Sequence, residues 1–75
     1  MLELRKEIDA IIESGNTIIN WNESLEYVAV EHISTGDEYF FDGEGYDMLY
    51  ADYLNSGISD EFNFDEYLYL VSQNW

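Results

Sequence analysis

The sequence predicts an α+β fold: one small domain of order α-β-β-β-α-α, with a three-stranded antiparallel sheet packed against helices. Three observations carry that expectation. Apolar residues recur at helical spacing near both ends of the chain. Between them lie three short segments rich in β-branched and aromatic residues, separated by turn clusters. The 75-residue chain is also 47% hydrophobic and 17% aromatic, with no Pro and no Cys. That is enough apolar mass for one core and too little length for a second, so residues 1–75 read as a single domain. A domain of this size is marginal, with a stability on the order of 5 kcal/mol.

The elements follow in order. Leu4, Ile8, Ile11 and Ile12 follow the i, i+4, i+7, i+8 rule of a helix face, and Gly15-Asn16 is a stop signal. The first helix is therefore placed at residues 2–14. Thr17-Ile18-Ile19-Asn20-Trp21 suits a first strand, and Asn22-Glu23-Ser24 a turn. Residues 26–33 alternate, with Val28 and Val30 on one face and Tyr27, Ala29 and Glu31 on the other. Ser34-Thr35-Gly36-Asp37 is a second turn, with Gly36 available for a positive φ, and Glu38-Tyr39-Phe40-Phe41-Asp42 is the third strand. Gly43-Glu44-Gly45 breaks the strand pattern. Tyr46, Leu49, Tyr50, Tyr53 and Leu54 return to helical spacing until Gly57. For the last helix, Ser59 or Asn63 can serve as the cap, and Asn63 with Glu66 has capping-box spacing. Phe64, Tyr67, Leu68 and Val71 supply its buried face.

Charge sets the functional limits. Seventeen acidic residues against two basic ones give a net charge of −15, and the two cations, Arg5 and Lys6, adjoin in the first helix. Such acidity usually accompanies disorder, but disordered acidic chains are poor in aromatics. A surface like this repels phosphate, which excludes direct nucleic-acid binding and attachment to an anionic membrane. No segment approaches the roughly 18 apolar residues of a membrane span. The charged, amphipathic N-terminus is not a signal peptide. The lack of Cys removes disulfides and thiolate metal sites and is compatible with a cytosolic protein.

Motifs for catalysis are missing, and the chain is expected not to be an enzyme and to need no cofactor. The only His is His32, read as a strand surface residue, and no serine sits in a nucleophile elbow. Asp37/Glu38, Asp60/Glu61 and Asp65/Glu66 are adjacent carboxylates, but a glycosidase also needs a cleft that so short a chain has little room to build. The stretch from Asp42 fails as a calcium loop: the fifth position is Tyr46, the sixth Asp47 and the twelfth Tyr53. No metal site is expected. Tyr46, Tyr50 and Tyr53 read first as packing and second as partner contacts.

What remains is the charge itself. Ten carboxylates and no cation lie from Asp37 to Glu66. Solubility needs a net charge of magnitude about 2–8, so the surplus asks for another reason. Halophilic adaptation is one, and a strongly basic protein partner is another. Carboxylates three or four apart on a helix lie about 5–6 Å from each other. Alternate strand residues lie about 6.6 Å apart. Such rows can imitate phosphates towards the Arg and Lys side chains of a DNA-binding site. Asp42, Glu44, Asp60 and Glu61 are candidate partner contacts on this ground.

The chain resembles the small phage-encoded anti-CRISPR proteins that inhibit type II-A RNA-guided effector nucleases by imitating DNA. The resemblance rests on the element order, on Gly36-Asp37-Glu38-Tyr39-Phe40-Phe41, and on Phe64-Asp65-Glu66-Tyr67-Leu68. Two adjacent acids stand in the last segment where the family has a longer run. The resemblance implies partner contact for Gly36, Asp37, Glu38, Asp65 and Glu66. Their partner would be the basic site of a CRISPR effector nuclease that reads the short DNA motif beside the target, with guide RNA loaded. It also implies action in the host cytoplasm during infection. A DNA mimic against another enzyme, such as an anti-restriction protein or a glycosylase inhibitor, is the alternative. An acidic adaptor that mimics nothing is a further one.

Overall fold

A computed structural model describes residues 2–75. The order is α1 (Leu2–Ser14), β1 (Thr17–Asn22), β2 (Tyr27–His32), β3 (Asp37–Asp42), α2 (Glu44–Asn55) and α3 (Phe64–Val71). One 3-10 turn, Ile58–Asp60, joins α2 to α3, and another, Ser72–Asn74, follows α3. The sheet is an antiparallel meander of order β1-β2-β3. This is the α+β domain expected from the sequence, arranged as two layers and only 19 Å thick along its shortest axis.

The pleat decides which side chains meet the helices. Thr17, Ile19 and Trp21 of β1, Val28 and Val30 of β2, and Tyr39 and Phe41 of β3 share the covered face. Ile8 of α1 and Leu68 of α3 are fully buried above them. Phe64, the first residue of α3, is the hub. Its ring lies 5.0 Å from Trp21, 4.9 Å from Tyr50 and 5.4 Å from Tyr53, centroid to centroid. Trp75 closes the far side of the core against Phe41 at 4.8 Å and Tyr39 at 5.9 Å. Tyr53 donates its hydroxyl to the Phe62 carbonyl at 2.6 Å, so one buried phenol is satisfied internally.

Several boundaries differ from the expectation, each for a local reason. The first turn is residues 23–26, one residue longer and later than Asn22-Glu23-Ser24. Asn22 ends β1 and its side-chain oxygen accepts the Leu25 N–H at 2.8 Å, an Asx turn. Both hairpin loops then have four residues and end on a left-handed residue: Glu26 with φ 53° in the first and Gly36 with φ 77° in the second. Gly36 adopts that conformation freely, whereas Glu26 carries a Cβ into it, a strain on the order of 1–2 kcal/mol. Helix α2 begins at Glu44, two residues before Tyr46, because Gly43 turns the chain and leaves Glu44 and Gly45 in the first turn. An acid there is favoured by the helix dipole. Ser59 lies inside the 3-10 turn, and Asn63 is the α3 cap, with both bonds of the capping box formed to Glu66.

The apolar stripes are also wider than the contact they make. Ile12 and Leu54 were expected on buried faces but remain exposed at the margins of α1 and α2. His32 is the last residue of β2 and points to the covered side. It meets Tyr39 edge to face at 5.8 Å and is half-buried, so it is a packing residue and not a plain surface one.

Candidate functional site

The second hairpin presents its acids cleanly. Gly36 closes the turn and donates its N–H to the His32 carbonyl at 2.8 Å, and the Asp37 N–H donates to Thr35 Oγ1 at 3.3 Å. Asp37 and Glu38 are exposed. The register then sets Glu38 directly opposite Glu31 on β2, on the face away from the helices. Directly opposed residues have Cβ atoms about 5 Å apart, and like charges at that distance destabilise a sheet. Among the described residues, the ion pairs all belong to Arg5, so nothing neutralises the Glu31–Glu38 pair.

The face that carries this pair is uncovered. Its rows run Ile18–Glu31–Glu38, Asn20–Ala29–Phe40 and Asn22–Tyr27–Asp42 across the three strands. Phe40 is 62% exposed and stacks on Tyr27 at 5.7 Å; Ile18 is 40% exposed. Small Ala29 leaves a shallow depression of about 420 Å³ between Ile18 and Phe40, with Glu31 and Glu38 on its rim. An apolar centre with a charged rim is the make-up of a protein-binding patch.

The start of α3 is a different environment. Asp60 and Glu61 are exposed, but Asp65 and Glu66 are half-buried. Glu66 accepts the Asn63 N–H at 3.1 Å and also pairs with Arg5, which reaches across from α1. The Arg5 guanidinium sits 4.4 Å from the Phe62 ring centroid and 3.8 Å from Asp9. Thus the stretch of sequence free of cations does not stay so in space: the fold brings Arg5 to the last helix. Glu66 is a structural carboxylate, fixed by its cap and its ion pair.

The two adjacent acids respond in opposite directions. The hydrogen bond from Arg5 holds the Glu66 carboxyl below its ordinary range, against some loss of solvent. Burial pushes Asp65 up, Glu66 adds to this, and the Trp21 indole partly offsets it. The Glu66 contribution to stability is complete above the unfolded-state value and is lost as pH falls through the lower folded-state value. Asp65 has the reverse sign, because its folded form holds the proton more tightly. Urea midpoints followed from pH 7 down to about pH 2 are expected to rise at first, as protonation relieves self-repulsion, and then to fall in an acid limb that Glu66→Gln flattens. An unchanged limb in that variant would remove Glu66 from the acid transition.

The candidate residues therefore do not form one surface. Gly36, Asp37 and Glu38 lie at the end of the sheet that carries Thr17 and His32. Asp65 follows Phe64, which packs on Trp21, and the Trp21 row is four residues away along the strands, roughly 13 Å. Asp60 and Glu61 stay with the α3 corner, and Arg5 feels the field of Glu61. Asp42 and Glu44 are exposed at the Trp21 end, beside the first hairpin turn with Glu23 and Glu26. Glu31, Glu23, Glu26 and Asp47 were not among the candidates. Glu31 becomes visible only through the strand register. The other three gather only when α2 folds back beside the first turn. No family model, no curated protein and no solved structure matches the chain.

Proposed function

We propose that this domain is a non-catalytic inhibitor that occupies the basic DNA-binding site of a nucleic-acid enzyme by charge mimicry. The specific reading is an anti-CRISPR protein. Its target is then an RNA-guided effector nuclease, loaded with guide RNA and engaged where Arg and Lys read the motif beside the target. The observation that supports it best is the Glu31–Glu38 pair, held side by side on an uncovered sheet face with no ion-pair partner among the described residues. A fold of marginal stability carries that repulsion for no structural gain. An arginine from the partner would relieve it, with its stem over Ala29 between Ile18 and Phe40 and its guanidinium forked across the two carboxylates. The stacked Tyr27 and Phe40 rings supply apolar contact that phosphates lack, which suits a protein mimic of DNA over a polyanion.

Salt tests this reading with opposite signs on the two equilibria. Raising NaCl from about 0.1 to 0.5 M is expected to raise the thermal midpoint of the free domain, because screening relieves self-repulsion. The same change is expected to weaken binding to the guide-loaded nuclease by roughly tenfold or more, with target DNA competing for the site. Binding that ignores both salt and DNA would identify an adaptor surface instead.

A further inference from the structure

A second concave site lies on the helical side of the molecule, apart from the open sheet face. It is a cleft of about 370 Å³ between the first hairpin turn and α2, lined by Glu23, Glu26, Tyr46, Asp47, Tyr50 and Leu54, with Ala51 between the last two. Three of these side chains are carboxylates and none is a cation. Two are tyrosines whose rings stack at 6.2 Å with an interplanar angle of 24°.

Tyr46 makes this more than a cluster of acids. It is only 5% exposed, yet its hydroxyl makes no hydrogen bond among the described residues, unlike that of Tyr53. Burial raises the pKa of the Tyr46 phenol, and the charges of Glu23, Tyr50, Glu26 and Asp47 raise it further, so it remains protonated and faces those same carboxylates. Its ring is enclosed while its oxygen, which is not among the buried unpartnered atoms, opens on the cleft and is free to meet a ligand. Glu26 adds a supporting detail: it keeps its carboxylate at a left-handed position where the matching residue of the other hairpin is Gly36.

The contents of the cleft define the ligand. Among the described residues, no three His, Asp or Glu side chains gather closely enough to hold a metal ion. The acceptors are instead spread around two aromatic rings, which suits a large, flat cation. A guanidinium offers five N–H donors in one plane and stacks on tyrosine, whereas an ammonium is a compact point charge with three. We infer that the cleft between the first hairpin turn and α2 binds one arginine side chain of a basic protein partner. The guanidinium packs against the half-exposed Tyr50 and donates to Glu23, Glu26 and Asp47, with the Tyr46 oxygen as a further acceptor. This inference stands independently of the open-face reading.

The test is an NMR titration of the intact domain with acetyl-arginine amide, in parallel with acetyl-lysine amide and the uncharged acetyl-citrulline amide. The expected result is saturable shifts confined to Glu23, Glu26, Tyr46, Asp47 and Tyr50 with the arginine compound, weaker ones with lysine and none with citrulline. Tyr46→Phe keeps the ring and Glu26→Gln lies on an exposed turn. Each is expected to weaken the arginine compound by about tenfold, the worth of a charge-assisted hydrogen bond. Shifts that never saturate and extend equally to Glu38 and Asp42 would overturn the assignment. So would equal binding of lysine, or wild-type binding by both variants.

Discussion

Phe64→Ala is expected to leave the domain largely unfolded at 37 °C. Besides Trp21, Tyr50 and Tyr53, its ring reaches Tyr46 at 5.9 Å and Tyr67 at 6.3 Å. It is 3% exposed and joins β1, α2 and α3 through aromatic edges and faces. Emptying such a position costs about 3–5 kcal/mol, because five rings cannot collapse into the space without leaving their rotamers. The whole stability of a domain this size is on the order of 5 kcal/mol. Far-UV circular dichroism should lose most of its helical signal, and amide NMR spectra should collapse to narrow dispersion. Phe64→Leu, which keeps most of the volume, should fold with a lowered midpoint. A dispersed spectrum for Phe64→Ala would mean that Ile8, Val28 and Leu68 hold the two layers together without the aromatic hub.

That hub also explains what could be read from the chain. Element order was legible because each element carries its own local signal. Val28 and Val30 alternate with Ala29 and Glu31, Asn63 stands three before Glu66, and Gly36 ends a turn. Each is a relation between residues four or fewer apart, and short-range rules are enough to find it. The hub position itself was partly legible, since Phe64 falls on the apolar stripe of α3.

The functional surface was legible in kind but not in arrangement. Net charge announces an acidic surface, yet which acids adjoin depends on contacts that sequence spacing does not reveal. Arg5 meets Glu66 across 61 positions, so a cation reaches the last helix, a stretch that carries none in sequence. Glu31 meets Glu38 only because the four-residue loop fixes the hairpin register, and a slip of one residue would send Glu31 to the other face. Glu26 reads as the first residue of a strand because nothing in a glutamate marks the left-handed backbone it adopts.

The second-hairpin acids, Glu38 on the open face and Asp37 exposed at the sheet end in the row of Thr17 and His32, are expected to separate function from stability. Asp37→Ala with Glu38→Ala should weaken inhibition of the target nuclease by more than about tenfold, the loss that follows truncation of a desolvated charge pair. The same double variant should keep the fold and match or exceed the wild-type thermal midpoint, because removing Glu38 ends its repulsion with Glu31. A change that stabilises the molecule and harms its activity marks a residue kept for function. The control is Glu7→Ala with Glu13→Ala, two exposed positions on α1 that remove the same two charges from the −15 total. If inhibition tracks net charge alone, the two double variants will fall together, and the hairpin has no special place. If the α1 variant inhibits within about threefold of wild type while the hairpin variant fails, the local arrangement of carboxylates carries the binding. Normal inhibition by a folded hairpin variant would remove Asp37 and Glu38 from the partner surface and leave the cleft beside Tyr46 as the stronger candidate.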